Sequence, residues 1–300
     1  IHWHGVLLPF GMDGVSGLTQ KPIMPGETYV YEFTLRQHGT LMYHPHADEM
    51  TQIAQGMMGF FVIHPKVPTG PRIDRDFAIF LAEWKIPPGT SRPDPFEMTE
   101  YNYFTFNSRV FPGTAPLVVK RGQRVRVRLA NLSMDSHPVH LHGHVFHITG
   151  TPGGRIPQGA WVPEATVNVP VGTTRDFEFV ADNPGDWPLH CHKVHHTMNG
   201  MAHNLPNMIG VKQTGKVAKV VPGYMPMGEN GMAEMEDMDM GRPANTVPMG
   251  SAPGPFGTIG MGGMFTLIKV RDHLDGYADP GWYVQPPGTR VRKLERKPGK

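Results

Sequence analysis

The 300-residue sequence predicts an all-β fold. Two observations carry that expectation. Turn formers are abundant, with 36 Gly and 31 Pro, while apolar residues at helical spacing are scarce. Between the turns lie short runs rich in β-branched and aromatic residues, the pattern of strands.

Taken in order, these runs are Thr28–Leu35 (TYVYEFTL), Gly59–Ile63 (GFFVI), Phe77–Leu81 (FAIFL), Arg124–Leu129 (RVRVRL) and Arg175–Val180 (RDFEFV). Arg124–Leu129 alternates strictly, as a strand with one buried face should. Phe265–Val270 is a further strand candidate. The stretch 64–76 carries three prolines and a glycine and has the composition of a linker. From Pro222 to Gly263 the chain turns to Met, Gly, Pro and acids, a long decorated loop or tail. The expected division is 1–66, 67–216 and an extension over 217–300. No period marks a solenoid. The chain opens on Ile1, directly before a motif residue. The expectation is therefore a piece of a longer protein, with earlier strands and any targeting segment lying upstream.

Composition excludes several classes. Hydrophobic residues make up 39% and charged residues 18%, a globular balance. A net charge of +2 argues against a nucleic-acid or acidic-membrane partner. No run approaches the ~18 apolar residues of a membrane span. One cysteine rules out a disulfide framework or a cysteine-rich zinc module. Two counts stand out, 17 His and 20 Met, and both residue types bind transition metals.

Ten of the 17 histidines fall in four short motifs: His2-Trp3-His4, His44-Pro45-His46, His137-Pro138-Val139-His140-Leu141-His142, and His190-Cys191-His192 followed by His196. In a strand, residues i and i+2 share a face at about 6.6 Å. Each His-X-His pair can thus aim two imidazoles at one place, and four pairs bring eight to one cavity. Three metals ligated three, three and two would use them all. Parity separates a second site. His137 is an odd number of residues from His140, and Cys191 points away from His190 and His192. With His196 and the more distant Met201 they make one thiolate, two imidazoles and a thioether, the blue-copper electron-transfer set. A closed structural zinc site needs only four ligands and fits less well. His38, His64, His203 and His273 have no partner pattern. His144 and His147 follow the ligands and are expected to pack behind them or in the core. His195, beside His196, remains an alternative ligand at the wrong offset.

These motifs resemble those of the multicopper oxidases, in the same order, from Ile1 to about Gly210. The resemblance implies cupredoxin-like Greek-key sandwiches and four coppers per functional unit. It assigns His137, Cys191, His196 and axial Met201 to a type 1 copper, and His2 and His140 to a type 2 copper. His4, His44 and His192 would hold one type 3 copper, and His46, His142 and His190 the other. Three-domain members place a whole domain between the second and third motifs. Here His46 and His137 are 91 residues apart, too few for one. The chain therefore looks similar to two-domain, small-laccase-like members with the type 1 site in the second domain. Copper nitrite reductases carry the type 1 Cys in the first domain, where this chain has none.

The implied reaction couples one-electron oxidation of phenols, aromatic amines or metal ions to reduction of O2 to water. The alternative is a copper-resistance protein acting as a Cu(I) oxidase. Electrons are expected to enter through an exposed edge of His196. Asp13, in Met12-Asp13-Gly14, matches a family segment whose Asp relays protons near the type 2 copper. Many relatives carry an acid three residues after the Cys, where this chain has Val194, and Asp48 or Glu49 is the candidate substitute. Twelve methionines lie between Met198 and Met264, and those from Met225 to Met249 alternate with acids, Gly and Pro. Soft thioethers there suit Cu(I), while a loop of adaptable side chains gives the same composition. Each domain offers half a cluster, so the resemblance further implies a homotrimer, and a periplasmic or secreted location.

Overall fold

The computed structural model describes residues 1–68, 70–87, 90–198 and 252–289, and the two short strands 207–208 and 225–226. It is all-β. The strands are β1 (His2–His4), β2 (Gly39–His44), β3 (Gly59–Ile63), β4 (Arg75–Trp84), β5 (Tyr103–Phe106), β6 (Leu117–Lys120), β7 (Arg124–Asn131), β8 (His137–Leu141), β9 (Phe146–Thr151), β10 (Gly154–Arg155), β11 (Val162–Glu164), β12 (Thr166–Val169), β13 (Thr173–Val180) and β14 (Gly185–Cys191). After them come the two-residue pieces β15 (Asn207–Met208), β16 (Met225–Pro226), β17 (Pro253–Gly254) and β18 (Gly257–Thr258), then β19 (Phe265–Arg271). One short helix, α1 (Glu49–Ala54), follows the second histidine motif.

Two sheets form the larger unit. One runs β10-β9-β13-β7-β4-β5, with β11 also on β9, and the other runs β12-β8-β14-β19-β6. Their inner faces close on one core that includes Leu81, Phe104, Val127, Leu129, Val139, Leu141, Phe146, Phe177, Leu189 and Ile268. The alternation of β7 is kept: Val125 and Val127 are fully buried while Arg124 and Arg126 turn outward.

The smaller unit is the three-stranded sheet β1-β2-β3. It seats β2 on the outer face of the larger unit. Met42 packs with Ala130 and Leu132, beside Phe60 and Phe80. The Arg128 guanidinium donates to Thr40 Oγ1 at 2.6 Å, and Thr174 Oγ1 donates to the Thr40 carbonyl at 2.7 Å. Asp76 holds that arginine from the other side through a bidentate pair at 2.7 and 2.8 Å.

Two sequence expectations need correction. Thr28–Leu35 forms no strand and joins no sheet. Its alternation is real, since Tyr29, Tyr31 and Phe33 are half-buried between exposed neighbours. Tyr31 and Phe33 pack edge-on against Trp3, and Tyr29 donates to the Gly11 carbonyl. Side-chain anchoring, not a ladder, holds the segment. Second, Phe265–Val270 does not belong to an appended extension. As β19 it lies inside the five-stranded sheet, antiparallel to β14 and parallel to β6. The five-stranded sheet therefore takes an interior strand from beyond residue 217. The Met-rich run from Met227 to Met249 lies outside the described residues. No helix among the described residues is long and apolar enough to cross a membrane.

Candidate metal centres

β8 and β14 lie side by side, and their parity sorts the ligands. Cys191 pairs with Val139, and His190 pairs with His140. His137, Val139, Leu141 and Cys191 face the core and are buried. The imidazoles of His140, His142, His190 and His192 gather instead, with ring centroids 4.7 to 5.7 Å apart.

On the inner side His137, Cys191 and His196 form a closed triangle. The two Nδ1 atoms are 3.2 Å apart, and Cys191 Sγ lies 3.8 Å from His137 Nδ1 and 3.5 Å from His196 Nδ1. A metal with M–N of about 2.0 Å and M–S of about 2.3 Å in a trigonal set needs edges of about 3.5–3.7 Å. The triangle fits such an ion, and its donor chemistry is that of copper. All three residues are fully buried. Burial pushes the Cys191 thiol up to about 12 and the His137 imidazole down to about 3, so an ion entering here displaces the thiol proton and meets a neutral His137 ring.

The outer ring nitrogens are also fixed. His137 Nε2 is 2.8 Å from Ser133 Oγ, which donates to Asn131 Oδ1, and Asn131 donates to the Val169 carbonyl. Phe104 stacks on His196 at 4.0 Å and 14°. Glu83 is sealed behind both rings, its Oε1 3.6 Å from His137 Nε2 and 3.9 Å from His196 Nε2. Its Oε2 accepts the backbone N–H groups of Met134 and Asp135. Burial, reinforced by the Asp135 charge, pushes the Glu83 carboxyl up to about 8. His196 is fully buried, so it has no exposed edge for electrons to enter, contrary to expectation. Met201 lies outside the described residues.

The first quartet sits on β1 and β2. His2 pairs directly with His44, and the His2 ring lies 5.3 to 5.7 Å from those of His4, His44 and His46. Several tautomers are set by carbonyl acceptors. His2 Nδ1 donates to the Asp13 carbonyl, His44 Nδ1 to that of Pro45, His190 Nδ1 to that of Cys191 and His140 Nδ1 to that of Ala165. Each leaves Nε2 with its lone pair free for a metal. Two pairs of ring nitrogens already face one another, His4 Nδ1 with His44 Nε2 at 3.3 Å and His142 Nε2 with His190 Nε2 at 3.1 Å. Burial lowers the pKa of His4, His44, His142 and His190, and the neighbouring imidazoles lower it further. Neutral, lone-pair-bearing rings held this close form a receptor for cations.

Among the described residues, no imidazole of one quartet contacts an imidazole of the other. His4 instead rests against Gly172 in the β12–β13 turn, where an added Cβ would lie 3.7 Å from its ring.

Asp13 lies 3.4 Å from His2 Nδ1. Of the two acids past His46, Glu49 approaches the ligands, at 3.4 Å from His44 Nδ1 and 3.9 Å from His46 Nε2. Asp48 precedes α1 at its N-cap position and is exposed. His144 is buried against Phe179 and Trp187, with Nδ1 3.3 Å from the His142 carbonyl. His147 is exposed beside Trp161 and packs behind no ligand. No spacing in the sequence points to Glu83, Ser133 or Asn131. The one available signal is a lone acid, Glu83, inside the apolar run that ends β4.

Profiles of the multicopper oxidases match residues 1–68 and 87–210, together well over half the chain. The chain belongs to that family. This multicopper oxidase is 42% identical to copper resistance protein A of Escherichia coli over 84 residues, 28% of this chain and 14% of that protein. It is 38% identical to multicopper oxidase MmcO of Mycobacterium tuberculosis over 111 residues, 36% of this chain and 20% of that one. Such matches span less than half the length of the curated relatives. Among solved structures, a blue copper oxidase from Nitrosomonas europaea superposes with a TM-score of 0.63 at 27% identity, covering 90% of this chain and 68% of that one. The multicopper oxidase mgLAC superposes with a TM-score of 0.64 at 26% identity, covering 97% and 74%.

Proposed function

We propose that this chain is the copper-bearing part of a laccase-like oxidase, which takes electrons singly from a small reductant and delivers four of them to O2, giving water. The observation that carries this reading is the single cysteine between two histidines. Cys191 sits with His137 and His196, while His190 and His192, bonded to it in sequence, turn to the quartet side. Bound copper would supply the one-electron chemistry, held at one end by the Cys191 triangle and at the other by the imidazole quartets. The chain provides the rest. Residues 190–192 give a covalent route from thiolate to imidazoles. Ser133, Asn131 and Phe104 fix the rings that flank the thiolate. Burial keeps water from the triangle. Asp13, at 3.4 Å from His2 Nδ1 and 32% exposed, is placed to pass protons inward from solvent.

The assignment of rings to individual coppers follows the family pattern. His4 and His44 would share one copper with His192, and His142 and His190 another with His46. The two facing nitrogen pairs support that division. Each such copper would then draw two rings from one quartet and one from the other. Because the quartets do not meet within a chain, the complete cluster would form between chains. A closed ring of three subunits, the first unit of each against the second of the next, satisfies every half-site. Mixing a variant lacking His2, His4, His44 and His46 with one lacking His140, His142, His190 and His192 tests this on the full-length protein. Mixed rings should regain activity, and demonstrated mixed rings without activity would refute the arrangement. We place the protein in the periplasm or outside the cell.

The second reading is a Cu(I) oxidase in copper resistance. The names of several relatives and the Met-rich run favour it. Oxygen-uptake assays with Cu(I) and with a phenol, repeated after deleting residues 225–249, discriminate the two. A selective loss of Cu(I) oxidation supports the second reading, and equal losses count against it.

A further inference from the structure

The seam between the two units holds a cavity of about 410 Å³, lined by none of the metal-site residues. It opens beside His38 and Gly39, where β2 begins. His44 lies five residues further along that strand, a rise of about 17 Å. One wall is apolar, built from Ile63, Ile73 and the prolines 65, 68 and 71. The facing wall carries the guanidinium groups of Arg126, Arg128 and Arg155, and Arg72 stands at the mouth, 91% exposed. Among the described residues, Asp176 is the one acid that lines it.

The charges around this cavity are unevenly matched. Arg128 is held by Asp76 through the bidentate pair and lies 3.5 Å from Asp176 Oδ2. Glu178 alone faces three arginines. Its Oε1 accepts from Arg126 Nε and Nη2 at 3.1 and 2.9 Å and from Arg155 Nη1 at 2.6 Å, and its Oε2 is 3.7 Å from Arg124 Nη1. Four guanidinium groups, of Arg124, Arg126, Arg128 and Arg155, thus share three carboxylates, those of Asp76, Asp176 and Glu178. Arg126 Nη1 reaches its nearest carboxylate oxygen, Asp76 Oδ2, only at 3.5 Å. Arg72 reaches Asp74 only at 3.9 Å. Surplus positive charge therefore faces an apolar wall across a space of ligand size.

We propose that this cavity is a binding site for a small aromatic carboxylate. The ring lies on the isoleucine and proline wall, and the carboxylate sits between Arg126 and Arg72, where charge-assisted hydrogen bonds are strongest. The site is independent of the oxidase reading and of the reductant that feeds the coppers. Its walls come from both units, so an occupant ties the three-stranded sheet to the larger unit and stabilises the chain by mass action.

The test titrates the copper-loaded chain with benzoate, which carries no oxidisable hydroxyl, and follows binding by calorimetry and by thermal unfolding. One benzoate should bind per chain and raise Tm. Benzyl alcohol, which keeps the ring without the charge, and inorganic phosphate, which keeps the charge without the ring, should each bind severalfold more weakly. Arg72→Ala should weaken benzoate binding severalfold, and Ile73→Trp, which fills the apolar side, should abolish it with the blue absorption retained. Absence of saturable benzoate binding overturns the proposal, as does unchanged affinity in Arg72→Ala. Equal binding of benzyl alcohol overturns the anion site, and equal binding of phosphate overturns the aromatic class. Should Ile73→Trp lose its blue colour, Arg72→Ala decides, because that exposed side chain can be removed without disturbing the fold.

Discussion

Removing copper should leave a protein whose stability is governed by two sealed groups with opposite pH signs. Glu83 is held protonated up to about pH 8, against 4.5 for an ordinary glutamate. Between these values the folded state binds the extra proton, so stability falls as pH rises through that window. His137 titrates near 3 instead of 6.5. Here the unfolded state binds the extra proton, so stability rises with pH between those values. These two slopes oppose each other between about pH 4.5 and 6.5, and above that window the Glu83 slope acts without the His137 one. At about 1.4 kcal/mol per pH unit, moving from pH 6.5 to 8 removes about 2 kcal/mol through Glu83 alone. Urea denaturation of the copper-free protein at half-unit pH steps measures this. Glu83→Gln should abolish the alkaline decline while keeping the acid limb. A wild-type stability that holds or rises from pH 6.5 to 8 would refute the reasoning, as would a decline that survives in Glu83→Gln.

Three further outcomes are expected. Cys191→Ser should remove the intense blue absorption and stop oxidation of every reductant, which a single absorption spectrum and an oxygen-uptake trace check. Asp13→Asn should slow reoxidation by O2 severalfold while leaving reduction at the Cys191 triangle intact, as stopped-flow traces of the two half-reactions would show. Gly143→Ala should destabilise the protein by about 2–4 kcal/mol, because φ is +70° and a Cβ there would overlap the Trp187 indole. Gly143 directly follows His142, so copper analysis should show loss from the quartet side before the blue colour fades.

Much of this architecture was legible because it rests on period-two geometry. Strand alternation alone separates Cys191 from His190 and His192, and His137 from His140 and His142. Gly59–Ile63 matches β3 end to end for the same reason. Sequence failed where long-range pairing decides. Thr28–Leu35 has the pattern of a strand, but alternation cannot reveal whether a neighbouring ladder exists. Phe265–Val270 looks peripheral because a long compositionally odd segment precedes it, yet β14 and β6 need a strand between them. The surroundings of His196 were hidden as well. Its burial depends on Phe104 and Glu83, about 90 and 110 residues upstream, which no local spacing links to the motif.

Strand β14 belongs to both metal centres at once, and this constrains how the protein can change. One inserted residue between Gly185 and His192 would reverse the strand's phase and send the thiolate outward and the imidazoles inward. Two inserted residues would restore the phase but displace every ligand by about 6.6 Å. Neither centre can be adjusted along this strand without ruining the other. Evolutionary adjustment of either centre is therefore left to residues off the strand: Glu83, Ser133 and Phe104 for the buried triangle, Asp13 and Glu49 for the imidazole quartets.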